Sequence, residues 1–71
     1  MEVGEIYLSR IEDSSGREYE VKSIKDNPYK VGEVLVKMKD TASEMTITYS
    51  LKQFEEWIEL GRLMLMGKTL L

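Results

Sequence analysis

The 71-residue chain has no cysteine and no histidine, and only one proline, one tryptophan and one phenylalanine. Without cysteine there is no disulfide framework, no thiol nucleophile and no thiolate zinc site. Without histidine the usual general base and the commonest transition-metal ligand are both missing. Ser14 and Ser15 therefore have no imidazole to activate them, and a turn role accounts for both. The glycines at 4, 16, 32, 61 and 67 match no phosphate-loop spacing. Long apolar runs are missing too. The longest, Leu63–Met66, falls far short of the roughly 18 residues of a membrane span. The start of the chain lacks the basic segment and unbroken apolar core of a signal peptide, because Glu2 and Glu5 interrupt it. These absences lead us to expect a non-enzymatic, cytoplasmic protein with no catalytic residue, cofactor, metal, small-molecule substrate or membrane contact.

What is present is globular in character: 42% hydrophobic and 32% charged residues in 8.3 kDa, enough for one small domain spanning residues 1–71. Residues Val3–Ile11 alternate and are rich in β-branched and aromatic types, with Ile6 and Leu8 on one face and Tyr7 and Ser9 on the other. Asp13-Ser14-Ser15-Gly16 supplies turn chemistry. Arg17–Lys25 then reads as a returning strand with Tyr19 and Val21 on a shared face. Asp26-Asn27-Pro28-Tyr29 is the sharpest break in the chain, since Pro28 biases Asn27 away from helical geometry. Two further alternating segments follow. Val31–Lys39 places Val34, Val36 and Met38 together, and Glu44–Tyr49 places Met45, Ile47 and Tyr49 together.

The hydrophobic period then changes from two residues to that of a helix. Ser50 is a candidate N-cap, with Gln53 three residues on completing a capping box. Leu51, Phe54, Ile58, Gly61 and Leu65 fall on one stripe, flanked by Trp57 and Met64. The pattern predicts a helix running to about Met66 and stopped by Gly67. The expected fold is thus α+β: a four-stranded antiparallel meander with one C-terminal helix on one face (β-β-β-β-α). Its core would hold Ile6, Leu8, Val34, Val36, Ile47, Phe54 and Ile58. Tyr7, Leu35, Lys37, Thr46 and Thr48 would lie on the open face.

Two groups of residues are candidates for a binding surface. Leu60, Leu63, Met64, Met66, Leu70 and Leu71 make the C-terminal stretch apolar almost all round, more than one helix can bury against one sheet. Leu and Met surfaces adapt to other chains, and a tryptophan beside them is a frequent anchor of protein contacts. The expected protein interface is therefore Trp57, Leu60, Leu63, Met64, Met66 and Leu70, with helices facing each other in a homodimer or meeting another protein. The plainer reading has Trp57 packing over the sheet and the tail capping the core.

The second group is basic. Residues 1–20 carry Arg10 and Arg17 against six acidic side chains, whereas residues 21–39 carry Lys22, Lys25, Lys30, Lys37 and Lys39 against Asp26 and Glu33. Lys22, Lys37 and Lys39, together with the rings of Tyr7 and Tyr29, make a candidate single-stranded nucleic-acid surface. An overall charge of −3 favours the plainer reading, solvated strand edges guarded by lysine. Glu55, Glu56 and Glu59 form the one carboxylate cluster and read as the solvent face of the helix.

The junction Ile47–Trp57 (ITYSLKQFEEW) resembles the strand-to-helix junction of the positive-cofactor-four transcriptional coactivator family, through Ser50, Leu51, Phe54 and Trp57. The resemblance covers these eleven residues and the order of elements. It implies four antiparallel strands followed by one helix, dimerisation through that helix, and single-stranded DNA binding. The chain departs from the family in being acidic and in lacking dense Lys and Arg on its strands.

From the residues themselves the leading expectation is a small binding or regulatory module acting through protein contacts, a regulator or inhibitor of the kind found in phages and mobile elements. The alternative is a single-stranded nucleic-acid binder working from the open sheet face, with a role in transcription regulation.

Overall fold

The turn signals and alternating segments place four strands where expected: β1 (Glu5–Ser9), β2 (Glu18–Asp26), β3 (Val34–Asp40) and β4 (Thr46–Ser50), with a single 3-10 turn (Glu12–Ser14) between the first two. The computed structural model describes residues 1–69. Helix α1 (Leu51–Glu59) follows β4 directly. The Ser50 hydroxyl accepts from the Gln53 amide at 3.1 Å, so the expected N-cap forms.

The remainder corrects the expected fold in one element. The helix stops at Glu59, and the chain returns as a fifth strand, β5 (Leu63–Lys68). The stop is made by Gly61, not Gly67. Gly61 takes a φ of +74°, its amide donates to the Ile58 carbonyl at 3.1 Å, and the Arg62 amide donates to the Trp57 carbonyl at 2.8 Å. This pair of bonds around a left-handed glycine is the Schellman arrangement, which closes a helix by satisfying its last carbonyls. The sheet is therefore α+β and antiparallel throughout but five-stranded, in the order β4-β3-β2-β1-β5.

The helix lies over one face of this sheet. Phe54 is fully buried, and Tyr7, Tyr19, Val21, Val36, Met38 and Leu63 complete the core around it. Val36 and Phe54 are thus buried as expected, while Val34 and Ile47 are half-buried and Ile58 is exposed. The facing of β1 is the reverse of the expectation. Tyr7 stands opposite Tyr19 on β2 and Leu65 on β5, and Ser9 stands opposite Leu63, all on the helix side. Ile6 and Leu8 occupy the open face, half-buried, with Met64 directly opposite Leu8. β1 carries apolar side chains on both faces and is flanked on both sides, so its alternation alone could not choose between them. Burying a tyrosine ring beside Tyr19 decided the matter, and the buried Ser9 hydroxyl is matched with Ser14 Oγ at 2.8 Å and the Ile11 amide at 3.2 Å.

At the end of β3 the carboxylate of Asp40 is nearly inaccessible. It accepts from the Ala42 amide at 2.9 Å and from Arg17 Nη1 at 2.7 Å. These bonds, the backbone one foremost, hold its carboxyl below the usual carboxylate range. The pair ties the β1–β2 loop to the turn between β3 and β4.

Candidate protein interface

The C-terminal apolar residues are distributed by the turn at Gly61 into three environments. Trp57, still on α1, is half-buried and packs edge-on against Tyr49 (5.0 Å between ring centroids) and Phe54 (5.6 Å). Leu60 caps the helix and is exposed. Leu63 is 1% exposed and belongs to the chain's own core, so the expectation that it faces a partner across a helix pair is corrected. Met64 and Met66 remain exposed, but on a strand and not on a helix surface. Leu70 and Leu71 lie outside the described residues. Leu65, assigned by helical spacing to the inner stripe, is 56% exposed beside Met66. Its exposure was not readable from a helical wheel. The signal available was the Leu-Met-Leu-Met run itself, which fits a strand as well as a helix.

β5 therefore presents Met64, Leu65 and Met66 at an edge of the sheet, where it pairs with β1 alone. Its far end is held by ion pairing of Lys68 with Glu2 and by a bond from the Thr69 amide to the Gly4 carbonyl. That contact lowers the Glu2 carboxyl and raises the Lys68 ammonium, in each case chiefly through the hydrogen bond between them. Gly4 takes a φ of +94° at the bend leading into β1.

The basic group is not brought together. Tyr7 is buried, and its hydroxyl donates to Glu5 Oε1 at 3.1 Å. Burial, and then this carboxylate, push the phenol up to about 12. It offers no ring to a ligand on the open face, which corrects its assignment to that surface. Lys37 and Lys39 do lie on the open face with Thr46 and Thr48 opposite them on β4. Lys39 is within 3.5 Å of Glu44, and Lys22 contacts Glu20 at 3.0 Å, so acidic groups interleave with the lysines. Tyr29 is fully exposed in the β2–β3 loop, where its amide bonds Asn27 Oδ1 in a local turn.

Two surface clefts lie among the described residues. One, of about 260 Å³, is lined by Arg17, Tyr19, Met45, Ile47, Tyr49 and Trp57. The other, of about 430 Å³, lies between the β2–β3 loop and the start of α1, among Lys30, Glu33, Leu51, Lys52 and Glu55. In the second, Lys30 and then Asn27 hold the Glu33 carboxyl below its ordinary value. Glu55, Glu56 and Glu59 are exposed. Among the described residues every buried side-chain polar atom has a hydrogen-bond partner. No helix among them is long and apolar enough to cross a membrane. Comparison of the chain with protein-family models, with curated proteins and with solved structures returns no match.

Proposed function

We propose that this protein is a non-enzymatic binding module that acts in the cytoplasm through protein contacts, as a homodimer or against another chain, in the manner of a small regulator or inhibitor. The observation that carries this reading is the apolar edge strand β5, with Met64, Leu65 and Met66 exposed together at the sheet edge. Scattered apolar side chains on a surface are ordinary, but an uncharged run of them on a free strand edge invites another chain. The test is a double variant, Met64→Lys with Met66→Lys. Both side chains are exposed, so circular dichroism should be unchanged. Assembly or partner capture, followed by sedimentation across a concentration series, should be lost. Unaltered association would overturn the assignment of the surface.

A second reading, single-stranded nucleic-acid binding, is favoured by one feature, the adjacent Lys37 and Lys39 on the open face. Fluorescence polarisation with labelled oligonucleotides at two salt concentrations tests it. Phosphate-directed binding would weaken steeply with salt and would fall alike for all sequences in Lys37→Glu.

A further inference from the structure

Two hydrogen bonds fix which backbone groups of β4 face its outer edge. The Asp40 amide donates to the Met45 carbonyl at 2.9 Å, and the Thr41 amide donates to the Glu18 carbonyl at 2.9 Å. Bonded and non-bonded pairs alternate in an antiparallel ladder, so the even residues of β3 bond toward β4 and the odd ones toward β2. The register Met38 to Ile47 and Val36 to Tyr49 then commits the amides and carbonyls of Ile47 and Tyr49 to β3. Thr46 and Thr48 direct theirs outward. Both residues are exposed, β4 pairs with β3 alone, and among the described residues no backbone group of a turn, loop or cap bonds to them. The strand Thr46–Ser50 holds no charge, proline or bulge that would discourage a further strand.

We propose that a second copy of this chain pairs here, its β4 antiparallel to the first across a two-fold axis at Ile47. The inference goes beyond the reading above, because it places self-association on the edge opposite β5. An isologous contact requires residue i of one copy to meet j of the other and the reverse. Thr46 of one copy bonds through its backbone to Thr48 of the other, and Thr48 to Thr46. The register one pair further along would need Ser50, which is the N-cap of α1 and gives its carbonyl to the first bond of the helix. On the open face Thr46 then stands beside Thr48, a favourable cross-strand pair. On the helix face Ile47 meets Ile47, and Tyr49 of each copy meets Met45 of the other. Tyr49 is 47% and Met45 58% exposed in the single chain, and a thioether against an aromatic ring is a favourable contact. The cleft lined by Met45, Ile47, Tyr49 and Trp57 adjoins its counterpart across the axis. Charge agrees with this register. The Glu44 side chain, 94% exposed, comes opposite Ser50 of the other copy, at the start of that copy's helix, where a carboxylate is favoured. Parallel pairing would turn one copy over and part the two apolar rows. The product is a continuous ten-stranded sheet with both helices on one face and a β5 at each outer edge.

The test combines mass with site-resolved amide exchange. At high protein concentration light scattering should give about twice the 8.3 kDa chain mass. The Thr46 and Thr48 amides should then be protected and should lose that protection on dilution, while the Ile47 amide stays protected throughout. Thr46→Glu with Thr48→Glu sets carboxylates opposite one another across the axis, yet beside Lys39 and Lys37 within each chain. It should return the mass to that of one chain with the near-ultraviolet spectrum retained. Thr48→Pro, which removes an outward donor without touching the β3 ladder, should do the same. Met64→Lys with Met66→Lys should keep the two-chain mass and bear only on capture of a different protein at β5. A single-chain mass at every concentration, or a dimer whose Thr46 and Thr48 amides exchange freely, would overturn pairing through β4. Were the β5 variant to abolish the dimer and the threonine variants to spare it, this inference would fall while the β5 surface stood.

Discussion

The two edges of the sheet, β4 and β5, are both short and nearly uncharged, yet they meet solvent in different ways. β4 reads Thr-Ile-Thr-Tyr-Ser and runs straight into α1, whose first turn is capped by the strand's last residue, Ser50. Its open-face side chains are the hydroxyl-bearing Thr46 and Thr48. Its inward Tyr49 is gripped by Phe54 and Trp57 in edge-on contacts. β5 reads Leu-Met-Leu-Met-Gly-Lys, and of its long side chains only Leu63 reaches the core. The helix touches both edges, following β4 directly and meeting the start of β5, where Leu63 is buried, but it leaves Met64, Leu65 and Met66 exposed. Edge strands are commonly guarded by charge, proline or a covering element. Here β4 has hydroxyl-bearing side chains, while β5 has a single terminal lysine already committed to Glu2.

The largest effect expected on either edge comes from Phe54, which packs under the helix on the β4 side. Phe54→Ala should cost about 3–5 kcal/mol in denaturant unfolding, the range for a fully buried aromatic. A loss under about 1 kcal/mol would mean that α1 does not clamp the sheet. Next comes the turn that creates β5. Gly61→Ala places a side chain at a φ of +74° and should destabilise by about 1–2 kcal/mol. No neighbouring atom lies within 4 Å of a Cβ added at either Gly61 or Gly67. Only Gly61 carries the positive φ, so Gly67→Ala should shift the thermal midpoint far less. Equal costs at the two glycines would argue for the longer helix that the sequence predicts. Ser50→Ala removes the cap between β4 and α1 and should cost about 1 kcal/mol. Denaturant midpoints at constant m-value check it.

The smallest effect concerns Asp40, which steadies the β4 side through Arg17 and Ala42. Its ionised form is favoured in the folded chain. Its contribution is therefore complete above the ordinary carboxyl value of about 4 and is lost as pH falls through the depressed folded value. Asp40→Asn should lower the thermal midpoint at neutral pH and flatten its decline on the acid side. Because Glu2 and Glu33 are depressed as well, the wild-type slope should be reduced and not abolished. Parallel melting curves for the two proteins below about pH 4 would remove Asp40 from the acid response.

The elements legible in the sequence were those whose signals are local. Strands β1 to β4 are bounded by Asp13–Gly16, by Pro28 and by the turn after Asp40, and the start of α1 is set by a hydroxyl three residues from the amide it accepts. Each of these depends on neighbours within one turn of chain, so residue type suffices to read it. Two features required the assembled sheet. The facing of β1 was undetermined because Ile6, Tyr7 and Leu8 are all apolar enough to be buried, and pairing with Tyr19 on β2 selected Tyr7. The fate of Leu63–Met66 was undetermined because that run satisfies a helical period as readily as a strand. Its backbone groups could find partners within a helix or on the free edge of β1, nearly the whole chain away. Closing the helix at Gly61 made the second choice, placing Leu63 in the core and leaving Leu65 and Met66 at the surface.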